Sequence, residues 1–270
     1  MAKTMQTSLR CAAPERTRPL WESAVQPLRV VMSFRYAIYL ETEAGEPLAL
    51  CTRDAAAMPF SAVLPVTSDD VTMPARVSDA RIGDGILTLG HVTVRPGRYT
   101  RSPAPPSSLT PPFLTRYAAL GAQTAPLLDL PASALRLCAA SIEDPSLLRY
   151  LVGLGTGLTP TADDVLAGVL GALHSFRHDA FGTFGAQVAA LTARTTWLSA
   201  RLLEAAAAGA HSAPTLALLT RVSDDDAAWA RTVHEVLLHG HTSGAGLAYG
   251  VALGAHASSS LIHLNQGDAA

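Results

Sequence analysis

The run GLGTGLTPTADD, residues 153–164, concentrates the residue types of this chain that could do chemistry. Glycines at alternate positions let backbone N–H groups approach a ligand closely. Thr156, Thr159 and Thr161 supply hydroxyls, and Asp163 and Asp164 supply adjacent carboxylates. Three roles follow from that inventory: an anion held at a helix N-terminus, a divalent cation held by oxygens, or a turn whose carboxylates offset a helix dipole.

The helix is expected to start with Thr159 as N-cap and Pro160 as first helical residue. Neighbouring helical residues point about 100° apart, so the two aspartates cannot face one spot. One of them meets solvent or bonds the N–H groups of the loop, and the other points into a pocket. Asp164, Gly168 and Gly171 fall on one face, which lets a neighbouring helix come close. A Walker-type phosphate loop would end in Gly-Lys-Ser/Thr, and no lysine stands here. A dinucleotide fingerprint would follow a strand, whereas SLLRYLV before GLGTG reads as helical. Asp163 and Asp164 could take Mg²⁺ through their oxygens, and no resident cofactor is expected. His234, His239 and His241 straddle a helix end with no cysteine nearby, and read as surface and loop histidines.

Two further segments carry hydroxyls at informative spacing. In LTARTTWLSARLLEAAAAG, part of an expected helix over 184–208, Thr192, Thr195 and Ser199 share a face. Such hydroxyls either bond the carbonyl four residues back or line the same polar pocket. GHTSGAGLAYG, residues 240–250, again opens an apolar helix with a Gly/Thr/Ser turn containing Thr242, Ser243 and Gly244. The two helix starts align without a gap, Thr161 over Ser243, Asp164 over Gly246, Gly168 over Gly250 and His174 over His256. An Ala/Gly/Leu-rich composition produces such an echo as readily as an old duplication does. Either way, two such helix N-termini facing one another would make a two-lobed anion pocket.

The elements that must position these residues divide by texture. Residues 28–100 read as short strands, with Asp84-Gly85 as a hairpin turn. RSPAPPSSLTPP, residues 101–112, reads as a linker, because proline removes donors and fixes φ. Residues 113–265 read as helices, with Asp144 and Pro145 opening one and Ser223 and Asp226 forming a capping box for another. Residues 1–27 read as a mobile or weakly docked arm, with a short helix near Trp21. The fold class expected is therefore α+β, a small β-rich barrel or sandwich followed by an α-helical domain.

Composition bounds the function. The formal net charge is -2 and basic residues are scattered, which gives no nucleic-acid footprint. Only 16% of residues are charged, which favours subunit contacts and an oligomer. Cys11, Cys51 and Cys138 are far apart, which argues against a disulfide framework and for a cytoplasmic setting. No stretch has the length of a membrane helix, and the first 27 residues lack the apolar core of a signal peptide.

GLGTGLTPTADDVLAG resembles the GLGxGLTPSGDDxLxG motif of the AllH-like proteins. TTWLSARLLEAAAAG and GHTSGAGLAYG resemble that family's other two segments. The resemblance spans residues 113–257, and Gly246 departs from it by standing where the family usually has Asp. It implies a subunit of oxamate carbamoyltransferase, which converts oxalurate and phosphate to oxamate and carbamoyl phosphate with two larger partner subunits. It further implies a small anionic substrate such as phosphate, oxalurate or oxamate, with no nucleic acid or membrane partner. The expected substrate contacts are Gly155, Thr156, Gly157, Thr159, Thr161, Asp163, Asp164, Thr195, Ser199, Thr242, Ser243 and Gly244. No catalytic residue is identified, and the motifs contain no arginine, leaving Arg177, Arg194 and Arg201 as the nearest. The competing expectation is a non-catalytic scaffold or ligand-sensing subunit. A metal-dependent hydrolase is a weaker third reading, because no Cys or Ser nucleophile with a placed His is recognisable.

Overall fold

The computed structural model describes residues 7–267 apart from 72, 75, 76, 78 and 107. The chain divides into two units between Ser102 and Pro103.

The first unit is a closed barrel. Its strands are β1 (Thr7–Pro14), β2 (Gln26–Ser33), β3 (Ala37–Thr42), β4 (Pro47–Cys51), β5 (Ser61–Val63), β6 (Ala80–Gly83), β7 (Ile86–Leu89) and β8 (Val92–Thr100). They are ordered β1-β5-β4-β3-β2-β6-β7-β8, and β1 closes the ring by pairing parallel with β8. Alternating residues fill the interior: Ile38 and Leu40, Leu48 and Leu50, Leu87 and Leu89. The β6–β7 hairpin turns on Asp84 and Gly85, both in the left-handed region at φ 50° and 75°. The helix expected near Trp21 is α1 (Arg18–Glu22), and the Trp21 ring is fully buried in the barrel core.

The barrel alternative is thus the one realised, and it starts earlier than expected. Thr7–Pro14, assigned to a mobile or weakly docked arm on sequence, is a full barrel strand. Arg10, Ala12 and Ala13 give that strand little β propensity, and its partner is about 85 residues away in sequence. The closing pair is therefore set by tertiary packing, which local pattern cannot report. Residues 1–6 of the expected arm lie outside the described residues.

The second unit is helical: α2 (Pro111–Thr124), α3 (Ala132–Ala140), α4 (Thr161–Ser175), α5 (Phe181–Ala190), α6 (Trp197–Ala207), α7 (Ala213–Thr220), α8 (Asp226–Leu237) and α9 (Ser243–Gly267). No helix among the described residues is long and apolar enough to cross a membrane. Pro111 and Pro112 belong to the first turn of α2 rather than to the linker, where a missing N–H costs nothing. Asp144 caps its segment through Ser146 N–H at 3.0 Å as expected, but Pro145–Tyr150 is a 3-10 helix. The expected helix over 184–208 is broken. It ends as α5, passes through a 3-10 turn at Thr192–Arg194 and an extended Thr195, and restarts as α6. Asp225, not Ser223, caps α8, accepting from Ala228 N–H at 2.8 Å.

The centre of this unit is the α4–α9 pair. Nearly every α4 side chain is buried, including Val165, Leu166, Val169 and Leu170. The two helices touch backbone to backbone. A Cβ at Gly250 would lie 2.0 Å from the Val165 carbonyl oxygen, and one at Gly168 would lie 2.3 Å from that of Leu247. Gly246 faces Asp164 and Gly254 faces Val169, so the contacts advance together and the helices run parallel. Their N-termini therefore end side by side. Gly171 does not join this contact, and it packs instead against Thr215 of α7.

Candidate functional site

Parallel helices that meet at their N-termini bring two positive dipole ends together. The loop 153–161 leads into α4 and the turn 240–246 leads into α9. They meet directly: the Thr159 and Ser243 hydroxyls are 2.9 Å apart, and those of Thr161 and Thr242 are 3.0 Å apart. The juxtaposition expected from the echo of the two segments is present.

The loop owes its shape to its glycines. Gly153, Gly155 and Gly157 all have positive φ, at 85°, 120° and 90°. At Gly153 a Cβ would also sit 2.5 Å from the Arg194 carbonyl oxygen. The chain from Leu154 to Leu158 is exposed, with the Leu154 and Leu158 side chains outward. It returns through Ala162 N–H, which donates to the Leu154 carbonyl at 3.0 Å. Pro160, not Thr159, is the residue that caps α4, and Thr159 is released to face Ser243.

The two aspartates diverge as the helical rotation demands, and both are buried. Asp163 faces α6. Its Oδ1 accepts from Gly153 N–H at 2.8 Å, and its Oδ2 accepts from Ser199 Oγ at 2.6 Å and from the Thr195 hydroxyl. Burial raises its pKa and outweighs the opposing influence of the three donors. Thr196 caps α6 through Ser199 N–H at 3.2 Å and donates to the Leu158 carbonyl. Thr195 and Ser199 therefore clamp the loop to α6 through Asp163, and do not line a cleft opposite Ser243. Thr192, the third hydroxyl of that stripe, bonds Ala189 and Glu204 at 2.9 and 3.1 Å.

Asp164 faces α9. Its Oδ2 is buried with no hydrogen-bond partner. Burial pushes its pKa well above the carboxylate range, the Asp163 charge pushes the same way, and the Ser243 and Thr159 hydroxyls oppose the shift. Gly246 makes this approach possible, because a Cβ there would lie 2.8 Å from the Asp164 Cβ. An Asp at position 246, as in the related motif, requires α9 to stand further off. Gly244 packs against the end of α8, where a Cβ would be 2.0 Å from the Val236 carbonyl oxygen.

Sequence reasoning missed Asp129. It accepts from the Thr161 hydroxyl and from Thr156 Oγ1 at 3.3 Å, tying both ends of the loop to the segment before α3. It stands alone in LLDLP, with no motif around it to mark it. Of the three arginines considered, Arg194 passes beside Gly153 through its carbonyl, and Arg201 pairs with Glu204 at 2.7 Å. Arg177 follows the far end of α4.

The donor set at Asp163 does not fit Mg²⁺, because N–H and O–H groups already point at both oxygens, and Asp164 faces a different helix. No cluster of three or more His, Cys, Asp or Glu suited to a metal occurs among the described residues. His239 bonds the Glu235 carbonyl at 2.8 Å on the surface. All three cysteines are buried free thiols, with burial pushing Cys11 and Cys138 to about 12 and Cys51 to about 11.

No curated protein and no solved structure matches the chain. Residues 151–255, which hold both loops, α4 and the first part of α9, match the family model described as oxamate carbamoyltransferase subunit AllH, and over that segment the chain is similar to the AllH family.

Proposed function

We propose that the chain is a subunit of a carbamoyltransferase-type enzyme, and that the paired loops hold its small carbamoyl-bearing anion. The observation that carries this reading is the buried, half-partnered Asp164 between two adjoining helix N-termini. A neutral carboxyl has one donor and one acceptor, the pattern presented by the edge of an amide. The paired positive helix ends and the exposed backbone of 155–157 suit the anionic end of the same molecule.

In this reading Thr159, Thr161, Thr242 and Ser243 orient the ligand beside Asp164, and Gly155, Thr156 and Gly157 take its anionic end. Asp163, Thr195 and Ser199 hold the loop in shape. The reaction is phosphorolysis of oxalurate or a related carbamoyl compound. A phosphate oxygen bonds the carbamoyl carbon, the carbon–nitrogen bond to the oxamyl group breaks, and a proton passes to the released nitrogen. Carbamoyl phosphate and oxamate result. Converging donors supply the positioning and oxyanion stabilisation this needs. Larger carbamoyltransferase subunits supply further cationic groups beside the loops.

The test is co-expression with the larger subunits of an oxamate carbamoyltransferase, followed by an assay for carbamoyl phosphate from oxalurate and phosphate. The proposal predicts a stable complex whose activity requires this chain. Full activity of the larger subunits alone would overturn it.

A further inference from the structure

The barrel unit contains a site of a different kind. A cavity of about 440 Å³ opens beside β1, lined by Arg10, Arg53 and Arg98 over a floor that includes Cys11, Val63 and Leu64. Its origin is visible in the strand pairing. Strand β5 is three residues long and meets β1 only at Ala12 and Val63, so the seam between them is short. On the other side of β1 the register shifts between Cys11 and Ala12, leaving Gly97 as an extra residue of β8. The absent side chain at Gly97 leaves space across which the Arg10 stem lies, 3.6 Å from where a Cβ would be.

The three guanidinium groups come from β1, from the residue pair after β4, and from β8. All three residues are exposed, and none is within salt-bridge distance of a carboxylate among the described residues. The carboxylates of the following loop are engaged elsewhere. Asp54 accepts from Ser68 N–H at 3.0 Å and Ser68 Oγ at 2.8 Å, and Asp70 accepts from Thr67 N–H at 2.9 Å and Thr67 Oγ1 at 2.8 Å. Arg53 reaches Asp70 only as a through-space charge. Three like charges around one concavity repel each other until an anion enters, and guanidinium forks match phosphoryl and carboxyl oxygens in pairs.

We propose that this cavity is a binding site for a small organic or inorganic polyanion bearing phosphoryl or carboxyl groups. It lies wholly within the barrel and is independent of the loop site, so each can stand or fall alone. The apolar floor suits a compact ligand body, and the three arginines suit a ligand with at least two negative charges.

Calorimetric titration of the full-length protein at low ionic strength tests this, with pyrophosphate and citrate as separate probes. Saturable binding of one molecule per chain is expected, and the preferred probe distinguishes phosphoryl from carboxyl chemistry. Arg53→Gln should weaken it by about tenfold, and Arg10→Gln with Arg98→Gln by more, with unchanged circular dichroism because all three side chains are exposed. Asp164→Asn should leave it unchanged. Binding that is indifferent to the arginine variants would overturn the proposal. So would retention of heparin or nucleic acid without binding of either small probe, which would make the face a macromolecular surface.

Discussion

Asp163 and Asp164 are consecutive residues of one buried helical turn, yet the α6 side gives Asp163 three donors while the α9 side leaves one Asp164 oxygen bare. A buried polar atom without a partner is costly, so folded chains seldom retain one without a use. The comparison separates a carboxylate that builds the loop from one left available beside it. The glycine contact of α4 with α9 then explains why no Cβ at position 246 stands against Asp164.

The α6 side should break hardest. Asp163→Ala removes the shared acceptor of Gly153 N–H, Thr195 and Ser199. The expected loss is about 3 kcal/mol or more of stability by denaturant unfolding. A variant as stable as the parent would remove the distinction between the two aspartates.

Gly250→Ala attacks the α9 side through its backbone. The new Cβ meets the Val165 carbonyl, so α9 must shift, at an expected cost of about 1–3 kcal/mol. Hydrogen exchange should quicken across α4 and α9 together. Faster exchange confined to α9 would show that the two helices are not one packed unit.

Asp164→Asn should behave in the opposite sense to Asp163→Ala. Because the folded pKa of Asp164 is raised, the native state binds a proton more tightly than the unfolded chain between the unfolded and folded values. Its contribution is complete below the unfolded pKa and is lost as pH rises through the folded value. The Asn variant should therefore melt at or above the parent temperature at neutral pH. That advantage should shrink as pH falls toward the ordinary carboxylate range. A gap independent of pH would contradict the buried-acid assignment.

Thr156→Ala should sharpen the comparison from the quiet end. Its hydroxyl is exposed and meets Asp129 at 3.3 Å, so stability should change by about 0.5 kcal/mol or less. A larger loss in thermal melting would make the loop crest structural rather than available.

Much of this arrangement could be read from local sequence. The divergence of Asp163 and Asp164 follows from helical rotation, and the meeting of the loops from the repeated Gly-hydroxyl helix start. The Asp84-Gly85 hairpin and the α8 segment are equally local. What escaped depends on distant partners. Strand β1 has weak propensity and is held by β8, and Asp129 has no motif around it. Thr195 looks helical beside Thr192 and Ser199, yet the chain unwinds there so that its hydroxyl can reach Asp163.

The most direct measurement compares the parent and Asp164→Asn chains, each assembled with the larger carbamoyltransferase subunits, in the phosphorolysis of oxalurate. Loss of one buried contact of about 1.5–3 kcal/mol predicts a fall in kcat/KM of roughly ten- to a hundredfold, with assembly preserved and a melting temperature at or above the parent's. An assembled, stable Asp164→Asn complex with parental kcat/KM would contradict the assignment of the paired loops as the substrate site.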